Sequence, residues 1–171
     1  MRPGGFPVAA TPENNSAIRV DPLQCMHYSA SVVSNQGTVE CIAAGFQALS
    51  EPTRLRIVAL LGRAGGDLCV CEFVDALEEP QYHVSRSLRI LQKAGWVAER
   101  REGKWVHYGL PTGLDPFRKM VLKAIAGIPE GVLEKDHREL NRRLKLRENG
   151  KCLMGVQKAH LLSRHTGGVK S

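Results

Sequence analysis

The chain has 171 residues, of which 43% are hydrophobic, so it is long enough for one compact domain with a buried core and additional tails. Its net charge is +7 and its pI is about 9.4, which favours an anionic partner such as nucleic acid. The five cysteines are an odd number without the pattern of a secreted disulfide framework, and no stretch has the apolar length of a membrane span. We therefore expect a reduced, cytoplasmic protein with no membrane partner.

The first predicted helices lie in the N-terminal third of the chain. Apolar residues recur at helical spacing from Val39 to Leu49. A second helix is predicted to begin at Pro52, with Ser50 as a candidate cap, and to end at a glycine turn after Leu61. The stretch before Val39 is rich in Gly, Pro, Ser and Asn and shows no sustained period, which predicts a flexible arm.

The next stretch predicts a helix, a turn, a second helix and a hairpin. Pro80 places the turn after a short helix, because proline disfavours helical geometry in the preceding residue. The second helix is predicted over residues 81–94, with Val84, Leu88 and Leu91 on one face. The hairpin is predicted from two alternating segments, residues 96–101 and 104–110. This order predicts a mainly α fold with a small β-hairpin, a winged helix-turn-helix.

The outer face of the second helix is basic and predicts contact with DNA. Such a helix would enter the major groove, where arginine contacts base edges with two hydrogen bonds. Basic side chains at the tip of the hairpin would contact phosphates or the minor groove. The alternative is a solvated amphipathic helix followed by an ordinary hairpin. The candidate DNA-binding residues are Tyr82, His83, Ser85, Arg86, Arg89, Lys93, Arg100, Arg101 and Lys104.

A cysteine pair precedes the short helix. Cys69 and Cys71 point the same way if their segment is extended but about 200° apart on a regular helix. Capture of one metal ion by both sulfurs therefore requires an extended entry to the helix. Thiolates favour soft ions. A third ligand would come from Cys25, Cys41, Cys152 or a second subunit.

The segments LSEPTRLRIVALL and LCVCEFVDAL, with VSRSLRILQKAGWVAERREGKWVHYGL, closely resemble the ArsR/SmtB family of metal-sensing winged-helix repressors. The resemblance covers about residues 39–125. It implies a homodimer held by the helices at residues 39–49 and 116–125, and binding to double-stranded, palindromic operator DNA. It also implies that the metal-free protein represses a resistance operon and that bound metal releases it.

The arsenic-sensing branch of that family is the most similar. Cys69 and Cys71 match its first two thiolates for As(III) or Sb(III), and the pair Ser85 and Arg86 matches its DNA-reading helix. Two positions depart from the pattern: Ser87 stands where a histidine is usual, and Val74 stands where the best-known version has its third cysteine. The resemblance therefore leaves the third thiolate to Cys25 across a dimer, or to Cys152. Cys41 is expected to be a small buried hydrophobe.

Other functions stay open. A sensor of Cd(II), Pb(II) or Zn(II) would complete its site with Cys25 and His27. A thiol oxidoreductase or redox-responsive regulator would use the cysteine pair, but Glu72 beside it would raise the thiol pKa. A basic adaptor protein would leave the cysteines without a role. No nucleophile, base and orienting residue occur together, so we do not expect an enzyme. The remaining histidines are expected to be exposed polar residues: His107, His137 and His160.

These patterns divide the chain into four parts. The first is the flexible N-terminal arm, and the second is the winged helix-turn-helix domain for DNA binding and dimerisation. A charged helix follows, and the chain is expected to finish in a disordered basic tail. The bounds are residues 1–37, 38–126, 127–150 and 151–171.

Overall fold

The structure is a computed structural model that describes residues 39–103 and 105–158. Cys25, His27, Lys104 and His160 lie outside the described residues. Within the described part, six helices and three strands alternate with short turns. In chain order they are α1 (Val39–Leu49), α2 (Pro52–Ala64), β1 (Leu68–Cys69), α3 (Val70–Leu77), α4 (Gln81–Lys93), β2 (Ala98–Glu102), β3 (Trp105–Gly109), α5 (Pro116–Ala126) and α6 (Glu130–Leu144).

The ends of α2 follow from local chemistry. The Glu51 carboxylate accepts hydrogen bonds from the backbone N–H groups of Thr53 and Arg54, at 2.9 and 3.0 Å. Ser50, the predicted cap, instead donates its hydroxyl to the Gln47 carbonyl oxygen at the end of α1. The cap prediction is wrong because the longer Glu51 side chain reaches both free N–H groups. Gly65 ends the helix in a left-handed conformation, with φ of 63°.

The core lies between α2, α3 and α4. Trp96 is fully buried beneath α1, and its indole N–H donates to the Gly45 carbonyl oxygen at 2.9 Å. The predicted inner face of α4 is confirmed, because its apolar residues are all buried. The largest apolar side chains in this core are Trp96, Phe73, Ile57, Leu60, Leu61, Leu88 and Leu91.

The sheet has three antiparallel strands in the order β1-β3-β2. The predicted hairpin is confirmed as β2 and β3. The short strand β1 adds to the free edge of β3, so that Cys69 pairs with His107, and His107 pairs with Arg100 on the other side. With α3 and α4 this sheet completes a winged helix-turn-helix, as the sequence predicted. No helix in the described part of the chain is long and apolar enough to cross a membrane.

The C-terminal part packs against α3 rather than standing apart. α6 lies along α3, and Asn149 and Gly150, with φ of 51° and 76°, reverse the chain after it. Residues 148–158, which we call the C-terminal strap, then return over α3, where Cys152 is only 2% exposed. The prediction of a disordered tail is therefore wrong for residues 151–158, because buried contacts with α3 hold them in place. Residues 159–171 lie outside the described part.

Candidate metal centre and nucleic-acid interface

Three cysteine sulfurs meet at the entrance to α3. The Sγ atoms of Cys69, Cys71 and Cys152 all lie within 4.8 Å of one another. Cys152 Sγ is 2.8 Å from Cys69 Sγ and 3.3 Å from Cys71 Sγ. The three residues are 1%, 7% and 2% exposed, and Trp105 and Val156 pack against them. The group is therefore a compact, water-excluded set of soft ligands.

The local backbone explains how two neighbouring cysteines face one point. Cys69 ends β1 with φ of −86° and ψ of 161°, which is extended, and Cys71 lies in the first turn of α3. The extended entry that the sequence required is present. Val74, at the place of the missing third cysteine, is completely buried in the core. The third sulfur instead arrives from the strap, 81 residues after Cys71.

The structure thus brings together three of the five cysteines considered. Cys152, one of the candidates for third ligand, joins the predicted pair. Cys41 lies on α1, is half-buried and is not part of this group of described residues. Cys25 lies outside the described part, so its candidacy stays a prediction.

Two arginines near the end of α6 compensate the buried charges around the sulfurs. Arg143, 2% exposed, donates from Nε to Asp75 at 2.9 Å, and its Nη2 lies 3.5 Å from Cys152 Sγ and 3.6 Å from Cys71 Sγ. Arg147 binds Glu72 through two hydrogen bonds of 2.7 and 2.8 Å. Glu72 also accepts the backbone N–H of Cys69 at 2.8 Å. Of these four residues, the sequence analysis singled out only Glu72, as the carboxylate beside the cysteine pair.

The sulfurs share one negative charge unequally. Hydrogen bonds from Cys69 and Cys71 lower the pKa of Cys152 far below its usual value, and the nearby cation of Arg143 acts in the same direction. The hydrogen bond to Cys152 raises the pKa of Cys71 to about 11 and also raises the pKa of Cys69. The favoured state is therefore a Cys152 thiolate that accepts hydrogen bonds from two thiols.

Polar contacts join the cysteine group to the wing, which is the hairpin of β2 and β3. His107, expected to be exposed, is only 9% exposed because it lies in the central strand between Cys69 and Arg100. Beside the cysteine group, the strap residue Lys151 forms an ion pair of 2.8 Å with Glu102 at the end of β2. The cysteine group and the wing are therefore in contact through both the sheet and the strap.

The outer face of α4 is open, as the sequence predicted. Tyr82, Arg86, Arg89 and Lys93 are exposed, and the flanking His83 and Ser85 are half-buried. His83 Nδ1 lies 3.1 Å from a carboxylate oxygen of Glu79. Within the described residues, the side chains of Arg86, Arg89 and Lys93 make no hydrogen bond or ion pair. This face presents unneutralised positive charge to the outside.

The wing residues are exposed but paired. Arg100 binds Asp67 and Glu102, each at 3.0 Å, and Arg101 binds Glu99 at 3.3 Å. These pairs are exposed and therefore weak. A phosphate group would compete with the carboxylates for either arginine, so the wing is a second, weaker candidate surface for nucleic acid.

The acids of α3 do not oppose such a surface. Four acids lie between residues 69 and 79. In the structure each has a basic partner in α2, in α6 or in the chain that follows α6. The pairs are Glu72 with Arg147, Asp75 with Arg143, Glu78 with Lys135 and Lys158, and Glu79 with Arg56.

Comparison with known proteins identifies the family. Residues 51–99 match the family described as "Bacterial regulatory protein, arsR family". The arsenical resistance operon repressor of Escherichia coli K12 is 46% identical over 65 residues, which cover 38% of this chain and 55% of that protein. The arsenic resistance transcriptional regulator ArsR1 of Pseudomonas putida is 37% identical over 91 residues, covering 53% of this chain and 70% of that protein.

Among solved structures, HlyU from Vibrio cholerae N16961 aligns with a TM-score of 0.46 and 24% identity, over 53% of this chain and 92% of that chain. On the sequence relatives, the chain belongs to the arsR family, and the resemblance stated from its motifs is confirmed. It spans about half the length of the Escherichia coli relative. As a member of this family it is a transcriptional regulator, and its fold is a winged helix-turn-helix.

Proposed function

We propose that this chain is a repressor that binds double-stranded operator DNA as a homodimer and releases it when As(III) or Sb(III) binds Cys69, Cys71 and Cys152. The observation that carries the proposal is the buried convergence of three sulfurs at the entrance to the helix-turn-helix. Thiolates select soft ions. Three thiolates without a further ligand suit a trivalent ion with pyramidal geometry.

The number of ligands favours a trivalent ion over zinc. Structural zinc sites are almost always tetrahedral with four ligands, whereas this group of described residues has three. Cd(II), Pb(II) and Zn(II), with Cys25 as an added ligand, are the alternatives to be tested.

The surface of α4 supports the DNA-binding part of the proposal. Arg86 lies in the first half of the helix, where recognition helices contact base edges. Arg89 and Lys93 lie further along the same face and suit phosphate oxygens. The wing arginines Arg100 and Arg101 would add contacts after exchanging their carboxylate partners for phosphate.

Apolar side chains on α1 and α5 support a homodimer. Val39, Phe46 and Met120 are 76%, 51% and 70% exposed. The two helices touch, because the rings of Phe46 and Phe117 meet edge to face with centroids 5.2 Å apart. Large exposed apolar surfaces of this kind mark interaction sites. A second copy of the chain is the partner that the family resemblance implies for these helices.

Release of DNA would follow from elements that the two sites share. Cys71 belongs to the first turn of α3, and Cys69 pairs with His107, which pairs in turn with Arg100 in the wing. A ligand that changes the spacing of the sulfurs therefore moves both the start of the helix-turn-helix and the edge of the wing. The ligand shifts the conformational equilibrium away from the DNA-binding conformation only to the extent that it binds the second conformation more tightly.

The test is a fluorescence-anisotropy titration on a duplex that the wild-type protein selects from a random DNA pool. Arsenite, antimonite, Cd(II), Pb(II) and Zn(II) are added in parallel to the wild type and to Cys69→Ser, Cys71→Ser and Cys152→Ser. We expect arsenite and antimonite to release the wild type. We expect the three variants to bind the duplex and to stay bound in the presence of arsenite.

Cys25→Ser and Cys41→Ser are the matched controls, because the proposal gives neither cysteine a part in binding As(III) or Sb(III). Both should release DNA like the wild type. If Cys152→Ser leaves the duplex at the same arsenite concentration as the wild type, Cys152 is rejected as a ligand. If only the divalent ions release the wild-type protein from the duplex, the cadmium, lead or zinc alternative is favoured.

A further inference from the structure

Asp75 lies one helical turn after Cys71 on the same face of α3 and is 4% exposed. Its carboxylate accepts hydrogen bonds from three N–H groups of the C-terminal part of the chain. Arg143 Nε donates at 2.9 Å, and the backbone N–H groups of Gln157 and Lys158 donate at 3.0 and 3.1 Å. One buried side chain of the helix-turn-helix thus holds α6 and the far end of the strap.

These contacts fix the part of the strap that carries Cys152. Residues 152–158 form neither helix nor strand, so they have no regular backbone ladder of their own. Arg143, held by Asp75, also donates to the Met154 and Gly155 carbonyl oxygens, at 2.6 and 3.2 Å. The side chains of Arg143 and Asp75 therefore anchor the backbone of the strap after Cys152, and Asp75 holds both Arg143 and the end of the strap.

We propose that Asp75 is a positioning residue that latches the strap onto α3 and thereby sets the ligand affinity of the three-thiol site. Asp75 acts through the strap and does not touch the ligand. Without the latch, the strap and Cys152 would occupy many conformations, and ligand binding would have to order them. The loss of conformational entropy would lower the affinity for the ligand. The inference rests on the proposed function, since it takes Cys152 as the third ligand.

Two variants break the latch and keep all three thiols. Asp75→Asn replaces an acceptor oxygen with an N–H₂ group, which faces other donors and cannot accept their hydrogen bonds. Gln157→Pro removes one donor N–H and leaves the ion pair of Asp75 and Arg143 intact. Glu134→Gln, an exposed carboxylate on α6, is the matched control.

Affinity is measured with two arsenicals that use different numbers of thiols. Arsenite exchanges three hydroxyl groups for three thiols, As(OH)₃ + 3 RSH → As(SR)₃ + 3 H₂O. Phenylarsine oxide takes two, PhAsO + 2 RSH → PhAs(SR)₂ + H₂O, and therefore needs only Cys69 and Cys71. Changes in residues that orient metal ligands weaken affinity by about 10- to 100-fold, and we expect that loss for arsenite in both latch variants. Affinity for phenylarsine oxide should stay at the wild-type value.

An unchanged arsenite affinity in the latch variants would overturn the proposal. Equal losses for the two arsenicals would also overturn it, because they would indicate general damage to α3. Glu134→Gln should match the wild type with both compounds.

A second measurement needs no arsenical. Iodoacetamide alkylation of Cys152, followed by mass spectrometry of its peptide, reports whether the strap is closed. We expect slow alkylation in the wild type and in Glu134→Gln, and faster alkylation in Asp75→Asn and Gln157→Pro. Equal rates would overturn the latch. If the rates differ as expected but wild-type protein does not bind arsenite, the latch stands and the proposed function fails.

Discussion

α3 and α4 are consecutive helices of one motif, yet they carry their charges in opposite ways. On α3, Glu72 and Asp75 are 0% and 4% exposed, and each is matched by an arginine of the C-terminal part. On α4, Arg86, Arg89 and Lys93 are exposed and make no ion pair within the described residues. The first helix is therefore integrated into the protein, whereas the second presents its charge to an external anion.

The same comparison changes the interpretation of the net charge. From Glu134 onward the chain carries ten basic and four acidic residues, which in the sequence looks like a basic tail. In the structure, Arg143 and Arg147 neutralise acids of α3, and Lys151 pairs with Glu102 of the wing. Ion pairs within the protein therefore neutralise much of this excess positive charge. The arginine and lysine side chains of α4, which make no ion pair within the described residues, are the stronger evidence for nucleic-acid binding.

The largest expected effect comes from breaking a buried pair of α3. Arg143→Met removes the cation beside Asp75 and leaves an uncompensated buried carboxylate, which costs about 3–5 kcal/mol in the free energy of unfolding. Urea unfolding followed by circular dichroism measures this loss. Arg142→Met is the matched control, because Arg142 is the next residue and its side chain is 71% exposed. The control should change stability by less than about 0.5 kcal/mol, and equal losses in the two variants would contradict the distinction between paired and exposed charge.

A smaller effect is expected on the open face of α4. Arg86→Ala should weaken binding to a selected duplex by about 1–3 kcal/mol if Arg86 contacts a base, with little change in the unfolding midpoint. Anisotropy titrations at several salt concentrations measure it. Arg138→Ala removes the same charge from α6 and should leave DNA affinity unchanged. Equal DNA affinity in Arg86→Ala and the wild type would remove Arg86 from the interface.

The smallest effect is expected from the half-exposed pairs at the end of α3. Ion pairs with Lys135 and Lys158 lower the pKa of Glu78 to about 2 from its ordinary value of 4.5. A lowered folded-state pKa adds stability that is present above pH 4.5 and is lost as the pH falls towards 2. Glu78→Gln should remove this contribution, which solvent screening keeps below about 1 kcal/mol.

Urea midpoints measured between pH 2 and 6 test this expectation. The difference between the wild type and Glu78→Gln should be largest near pH 6 and should shrink as the solution is acidified. A difference independent of pH would mean that the Glu78 carboxylate gains no stability from its lysine partners.

The sequence predicted those parts of the fold that have a local pattern. The bounds of α1 and the existence of the hairpin follow from apolar spacing and from the glycine turn at its tip. The strand β1 has two residues, too few for any alternation to appear, and it forms because the edge of β3 is available. The sequence did not predict that residues 151–158 are ordered, for a similar reason. Hydrogen bonds to side chains of α3 and α6 hold that segment, and such contacts leave no periodic pattern in the sequence.

The cysteine site was predictable in part. Cys69 and Cys71 are adjacent enough for geometry to suggest one ligand site, but Cys152 was one of several candidates for the third position. The sequence holds a usable signal: Arg143 and Arg147 are four residues apart at the end of the charged helix, and Glu72 and Asp75 are three apart on the short helix after the cysteine pair. Matching these two pairs places the end of α6 on α3, and with it the strap that carries Cys152.

X-ray absorption at the arsenic edge tests the central claim most directly, because it counts the sulfur atoms bound to arsenic. For the wild-type protein with one equivalent of arsenite, we predict a first shell of three sulfurs and no oxygen. For Cys152→Ser, we predict two sulfurs and one oxygen. Three sulfurs around arsenic in Cys152→Ser would contradict the account, since the third thiolate would then come from another cysteine.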